Sequence, residues 1–133
     1  MADTFPYLTE QWRAEAQRRF ETQITPKDMK KASVHLVLEF RNTPDSQNKY
    51  VSVLYKKGEL QEFALGTDPA PEGTFNIVGN YDIFVQMNKN QLDPKAAVLT
   101  GKVKLKGSKI KALQMVGLTK QFMEILSAIP TEY

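Results

Sequence analysis

The chain has 133 residues, with 18 Lys and Arg against 15 Asp and Glu, a formal net charge of +3, one histidine and no cysteine. This is the length of one domain with an ordinary globular mix, and it excludes disulfides, thiolate chemistry and multi-histidine metal centres. The longest apolar run, Ala96-Ala97-Val98-Leu99, falls far short of the ~20 residues a spanning helix needs, the first residues show no secretory leader, and a pI of about 9.1 is mild for a nucleic-acid binder.

In chain order, the first element is a helix over Tyr7 to Gln23. Thr9 is its N-cap, and Leu8, Trp12, Ala16 and Phe20 recur every fourth residue as one apolar stripe. Pro26 stops it. Ser33 to Arg41 alternates with period two: Val34, Leu36, Leu38 and Phe40 face one way, and Ser33, His35, Glu39 and Arg41 the other. Tyr50 to Lys56 and Glu59 to Leu65 follow as strands, joined by a Lys57-Gly58 turn, and complete an antiparallel meander. Thr74 to Gly79 is a fourth strand. Asn80 then caps a short helix, Asp93-Pro94 opens another, and Gly101 gives that one a left-handed exit. Lys102 to Lys106 is a fifth strand, and Ser108 caps a last helix running to about Ala128 before Pro130. The class is α+β: one domain over residues 1–133, with a five-stranded, mostly antiparallel sheet covered on one face by helices.

Few residues carry chemistry. No Gly-rich phosphate loop and no metal-ligand spacing occurs, the acidic residues are scattered, and His35 stands alone on a polar strand face. The expectation is a protein that is not an enzyme and uses no cofactor or metal. The last helix is more informative. Its ten aliphatic, methionine and aromatic residues exceed one narrow stripe, which fits either dense core packing or a helix roofing an apolar cavity; Met115, Met123 and Gly117 suit the second. Lys102, Lys104 and Lys106 share one strand face. That pattern fits a solvated edge or a weak contact with an anionic membrane; nucleic acid is disfavoured because no aromatic side chain interleaves with the lysines.

Three blocks, Phe75 to Phe84, Leu92 to Ala97 and Leu99 to Gly107, resemble in order the sterol carrier protein-2 family. The resemblance implies a five-stranded sheet whose helices enclose an apolar tunnel for fatty acids, fatty acyl groups, sterols and other lipids, with no chemistry done on them. By position it implies a lipid-binding lining of Leu36, Leu38, Phe40, Val53, Phe75, Ile77, Phe84, Val103 and Leu105, closed by Leu113, Val116, Phe122, Met123 and Leu126 of the last helix. The chain ends Thr131-Glu132-Tyr133 instead of a Ser-Lys-Leu-type peroxisomal signal, so the expected location is cytoplasmic. Lys109, Ile110 and Lys111 stand where members of the family often carry small or apolar residues. The competing expectation is an accessory or dimerisation domain with a filled core and no lipid ligand, and a homodimer fits either reading.

Overall fold

A computed structural model of the chain describes residues 4–133. Its elements run β1 (Phe5–Pro6), α1 (Glu10–Gln23), β2 (Val34–Arg41), β3 (Lys49–Lys56), β4 (Glu59–Thr67), β5 (Phe75–Asn80), α2 (Tyr81–Asn88), α3 (Pro94–Leu99), β6 (Val103–Gly107), α4 (Lys109–Gln114), α5 (Val116–Ala128) and β7 (Thr131–Glu132). The main sheet has the order β4-β3-β2-β5-β6. Every neighbouring pair is antiparallel except β2 with β5, which is parallel because the chain leaves β4 at the sheet's edge and re-enters beside its centre. The class is α+β, with a mostly antiparallel sheet.

Register assembles the core. Leu36 sits opposite both Val53 and Phe75, and Leu38 opposite Val51 and Ile77, so the apolar set of β2 continues across three strands. Val53 then meets Phe63, and Ile77 meets Leu105. A one-residue slip would turn every one of these side chains to the other face. Trp12, Ala16 and Phe20 from α1, Phe84 from α2, and Phe122, Ile125 and Leu126 from α5 cover this inner face and are buried with it.

The helix ends show which caps form. Thr9 Oγ1 accepts from Trp12 N at 3.4 Å, and Ser108 Oγ accepts from Lys111 N at 3.2 Å. Asn80 and Asp93 precede their helices without a side-chain capping bond, and Asn80 Oδ1 accepts from Asn42 Nδ2 instead. Gly101 takes its left-handed exit at φ +75°.

Four expectations need correction. First, α1 begins at Glu10, because Phe5–Pro6 runs as strand β1, parallel to β7, with Phe5 N donating to Pro130 O and Tyr7 N to Glu132 O. Second, the last helix is two helices: the turn at Met115 separates α4 from α5. Third, Val37 is buried on the outer face of the sheet, where the loop before β5 crosses it. Asn76 Nδ2 donates to Pro71 O and to Glu39 Oε2, and Asn76 Oδ1 accepts from Gly73 N, so one buried amide ties that loop to the strands beneath. Fourth, His35 is half-buried there, its Nε2 2.6 Å from Ser52 Oγ.

Candidate functional site

Aromatic side chains plug the inner face at two places. Around the end of β2, Tyr7 meets Trp12 edge-on at 5.0 Å and Phe40 at 5.9 Å, while Phe40 lies 4.3 Å from Phe84. Gly79 lies beneath Phe84 and Val103; a Cβ there would come within 2.7 Å of Val103 Cγ1. Toward the other end, Phe122 stacks on Tyr55 at 5.7 Å and tilts against Phe20 at 5.1 Å, and Phe20 meets Phe63 at 5.2 Å. Offset and edge-on pairs of this kind each add about 0.5–1.5 kcal/mol beyond area burial.

Toward the edge strand β6 the wall is aliphatic and less tightly sealed. Ile77 and Leu105, register partners, are half-buried, as are Ala112 and Met115 of α4 and its exit turn, and Leu118 and Met123 of α5. A six-residue helix covers little area, and α4 turns Ala112 inward while Ile110 and Leu113 remain 72% and 74% exposed.

The residues expected to line a lipid site therefore divide. Leu36, Leu38, Phe40, Val53, Phe75, Phe84, Val103, Phe122 and Leu126 are buried on the inner face or against it, and Ile77, Leu105 and Met123 are half-buried. Leu113 does not line the interior: at i,i+3 from Ile110 it shares that residue's solvent face. The side chain of Val116 lies outside the described residues. Lys102, Lys104 and Lys106 are exposed, with Lys104 and Lys106 in register with Val78 and Asn76 on the outer face. Among the described residues no three His, Asp or Glu gather as a metal site.

Two features were not anticipated. The Tyr55 hydroxyl is buried without a hydrogen-bond partner, and burial, with the Glu21 carboxylate, pushes its pKa far up. Trp12 Nε1 is also buried and unpartnered. Their apolar settings come from long-range packing, so only the residue types signalled them. Two shallow grooves lie on the outside. The larger, ≈ 260 Å³, is walled by Gln23, Gln121, Glu124, Ile125 and Ala128, and the other by Glu21, Ile24, Pro26, Gly58, Glu59 and Leu60. Both fall below the ~300–1,000 Å³ of usual small-molecule pockets.

A half-sealed apolar sheet face under a broken helix defines the architecture, and the sequence assigns it. The family model of the SCP-2 sterol transfer family matches residues 8–120, and the chain belongs to that family. Among solved structures, a crystal structure of sterol carrier protein 2 is 18% identical, covers 92% of this chain and 98% of its own, and superposes with a TM-score of 0.79. A conserved hypothetical protein of Thermus thermophilus is 16% identical, with coverages of 98% and 94% and a TM-score of 0.75. Palmitated sterol carrier protein 2-like 2 of Aedes aegypti is 14% identical, with coverages of 93% and 99% and a TM-score of 0.55. At these identities the likeness is one of fold. No curated protein matches the sequence significantly. Among the described residues no helix is long and apolar enough to cross a membrane.

Proposed function

We propose that this protein binds a lipid with a long apolar chain, of the fatty acid, fatty acyl or sterol-like class, and carries it in the cytoplasm without chemical change. The ligand lies between the sheet and the C-terminal helices, against Leu36, Leu38, Phe75, Ile77 and Leu105. The observation that carries this reading is the unequal sealing of the inner face. Aromatic rings plug it around the end of β2 and between α1, β3 and α5, while Ile77, Leu105, Met115 and Leu118 stay half-buried on the β5–β6 side, as Leu60 and Leu65 do at the opposite edge. Half-buried aliphatic surface still gains from covering, at about 25 cal/mol per Å². Each acyl methylene taken out of water adds about 0.8 kcal/mol, so a dozen could outweigh the ordering of the chain. Membership of the family and the fold shared with palmitated sterol carrier protein 2-like 2 support the same reading.

The test is extraction of the purified protein with organic solvent, mass spectrometry of the extract, and titration with a fluorescent fatty acid. Saturable binding is expected. Leu105→Gln with Met115→Gln should weaken it about tenfold, equivalent to ~1.4 kcal/mol, with the fold intact by circular dichroism. Absence of both co-purified lipid and saturable probe binding would overturn the reading. It would leave an accessory or dimerisation domain with a filled core, which the stacked Tyr55–Phe122 pair favours.

A further inference from the structure

Charge is segregated along this chain. Residues 94–123 hold seven lysines (Lys95, Lys102, Lys104, Lys106, Lys109, Lys111 and Lys120) and no acidic residue. The rest of the chain has the other 11 basic residues and all 15 acidic ones, so a segment of +7 is joined to a remainder of −4. All seven lysines are exposed, and none of them is in an ion pair among the described residues. A solvated edge strand would account for lysines on β6. It does not account for what lies among them. Val98, Leu99, Ile110 and Leu113 are four of the five large hydrophobic side chains exposed among the described residues, with Leu99 at 77%, and all four fall inside the acid-free segment. They flank the edge strand: Leu99 lies four residues before its start, Ile110 and Leu113 three and six residues after its end, and the strand between spans about 13 Å.

We propose that the edge formed by the end of α3, β6 and α4 docks on an anionic phospholipid bilayer. Leu99, Ile110 and Leu113 enter the headgroup boundary and the lysines pair with lipid phosphates and carboxylates. Exposed aliphatic side chains within a field of uncompensated positive charge match the two properties of such a surface, apolar depth and negative potential. The exposed apolar residues are aliphatic, so they offer nucleic-acid bases no ring to stack on. The inference extends the lipid-carrier reading by giving it a bilayer contact, yet it stands on separate observations. It also brings α4, the least covered part of the roof, to the membrane.

The experiment is vesicle flotation of the full chain with phosphatidylcholine alone and with phosphatidylcholine containing phosphatidylserine. Binding is expected only to the anionic vesicles and should fall steeply between about 0.1 M and 1 M salt, as the Debye length shrinks from roughly 10 Å to 3 Å. Near an anionic surface each lysine contributes about fivefold in binding, so Lys109→Glu with Lys111→Glu should weaken it tenfold or more, whereas the same reversal at exposed Lys27 and Lys56 should not. Ile110→Ser with Leu113→Ser should weaken it at unchanged charge. Equal binding to both vesicle types, no vesicle binding, or insensitivity to both α4 pairs would overturn the proposal. So would lysine-dependent retention of a DNA oligonucleotide without vesicle binding. Fluorescent fatty acid titration without vesicles reads the ligand site separately, and both α4 variants should bind that probe as the parent does.

Discussion

Tyr55→Phe should stabilise the protein. Tyr55 is 1% exposed, its ring stacks on Phe122 with an interplanar angle of 17°, and its hydroxyl has no partner. Phenylalanine keeps the ring, the stack and nearly all the volume, and removes only the oxygen. A buried hydroxyl left unpaired costs about 1–3 kcal/mol relative to one in water. The oxygen's dispersion contacts offset part of that, so the net gain should be about 1 kcal/mol. For a chain of this length the unfolding entropy is roughly 0.28 kcal/mol/K, which turns that gain into a rise in Tm of about 3–4 °C. Urea titration and calorimetry measure it, and m should not change. The pH dependence supplies a second reading. The folded-state phenol pKa is raised above the unfolded value of about 10, so the parent's stability from the neutral phenol is whole below pH 10 and is lost as pH rises beyond it. The variant lacks this group, so its advantage should widen above pH 10. A loss of 1 kcal/mol or more at neutral pH would refute the reasoning, because it would mean the hydroxyl has a partner in solution.

Other perturbations have defined signs. Phe122→Ala removes a ring packed on both Tyr55 and Phe20 and should cost about 3–5 kcal/mol by urea titration. Gly107→Ala should destabilise by more than about 1 kcal/mol, since φ is +107° and the new Cβ would lie 2.6 Å from Thr74 O; Gly117→Ala meets nothing within 4 Å and should gain about 0.5–1 kcal/mol in the same assay. Glu15 is held at about 2 by hydrogen bonds first from Arg18 and then from Arg19. Its folded pKa is depressed, so its contribution is present above the unfolded value of ~4.3 and is lost as pH falls toward 2; Glu15→Gln should flatten the acid limb of a Tm–pH profile by about 1 kcal/mol after solvent screening.

The strands were legible because each main strand buries one face, and burial at period two leaves its trace in the residues themselves. Leu36, Leu38 and Phe40 could be placed before any neighbour was known. Val37 could not, because what buries it is a loop more than thirty residues away, held by Asn76. Strands β1 and β7, two residues each, pair through backbone bonds and leave no side-chain pattern. The break at Met115 was hidden because Gln114, Met115 and Val116 are all tolerable in a helix. Its effect reached the site: Leu113, expected among the lining residues of a continuous last helix, faces water together with Ile110. The family could be recognised from three short blocks. Which of the implied lining residues are sealed and which half-covered depends on the angle at which helices cross the sheet, and no spacing encodes that.

The pairing of β1 with β7 makes the polypeptide from Phe5 to Glu132 a closed circuit. Its clasp has the greatest sequence separation of the strand pairings among the described residues, so its loop closure carries the largest entropic penalty of them and the clasp should zip late in folding. Tyr7 follows β1 directly and Tyr133 follows β7; their rings lie 5.0 Å apart and lead on to Trp12 and Phe40. Tension or trimming at either terminus would therefore be felt at the other, and through those rings in the middle of the sheet.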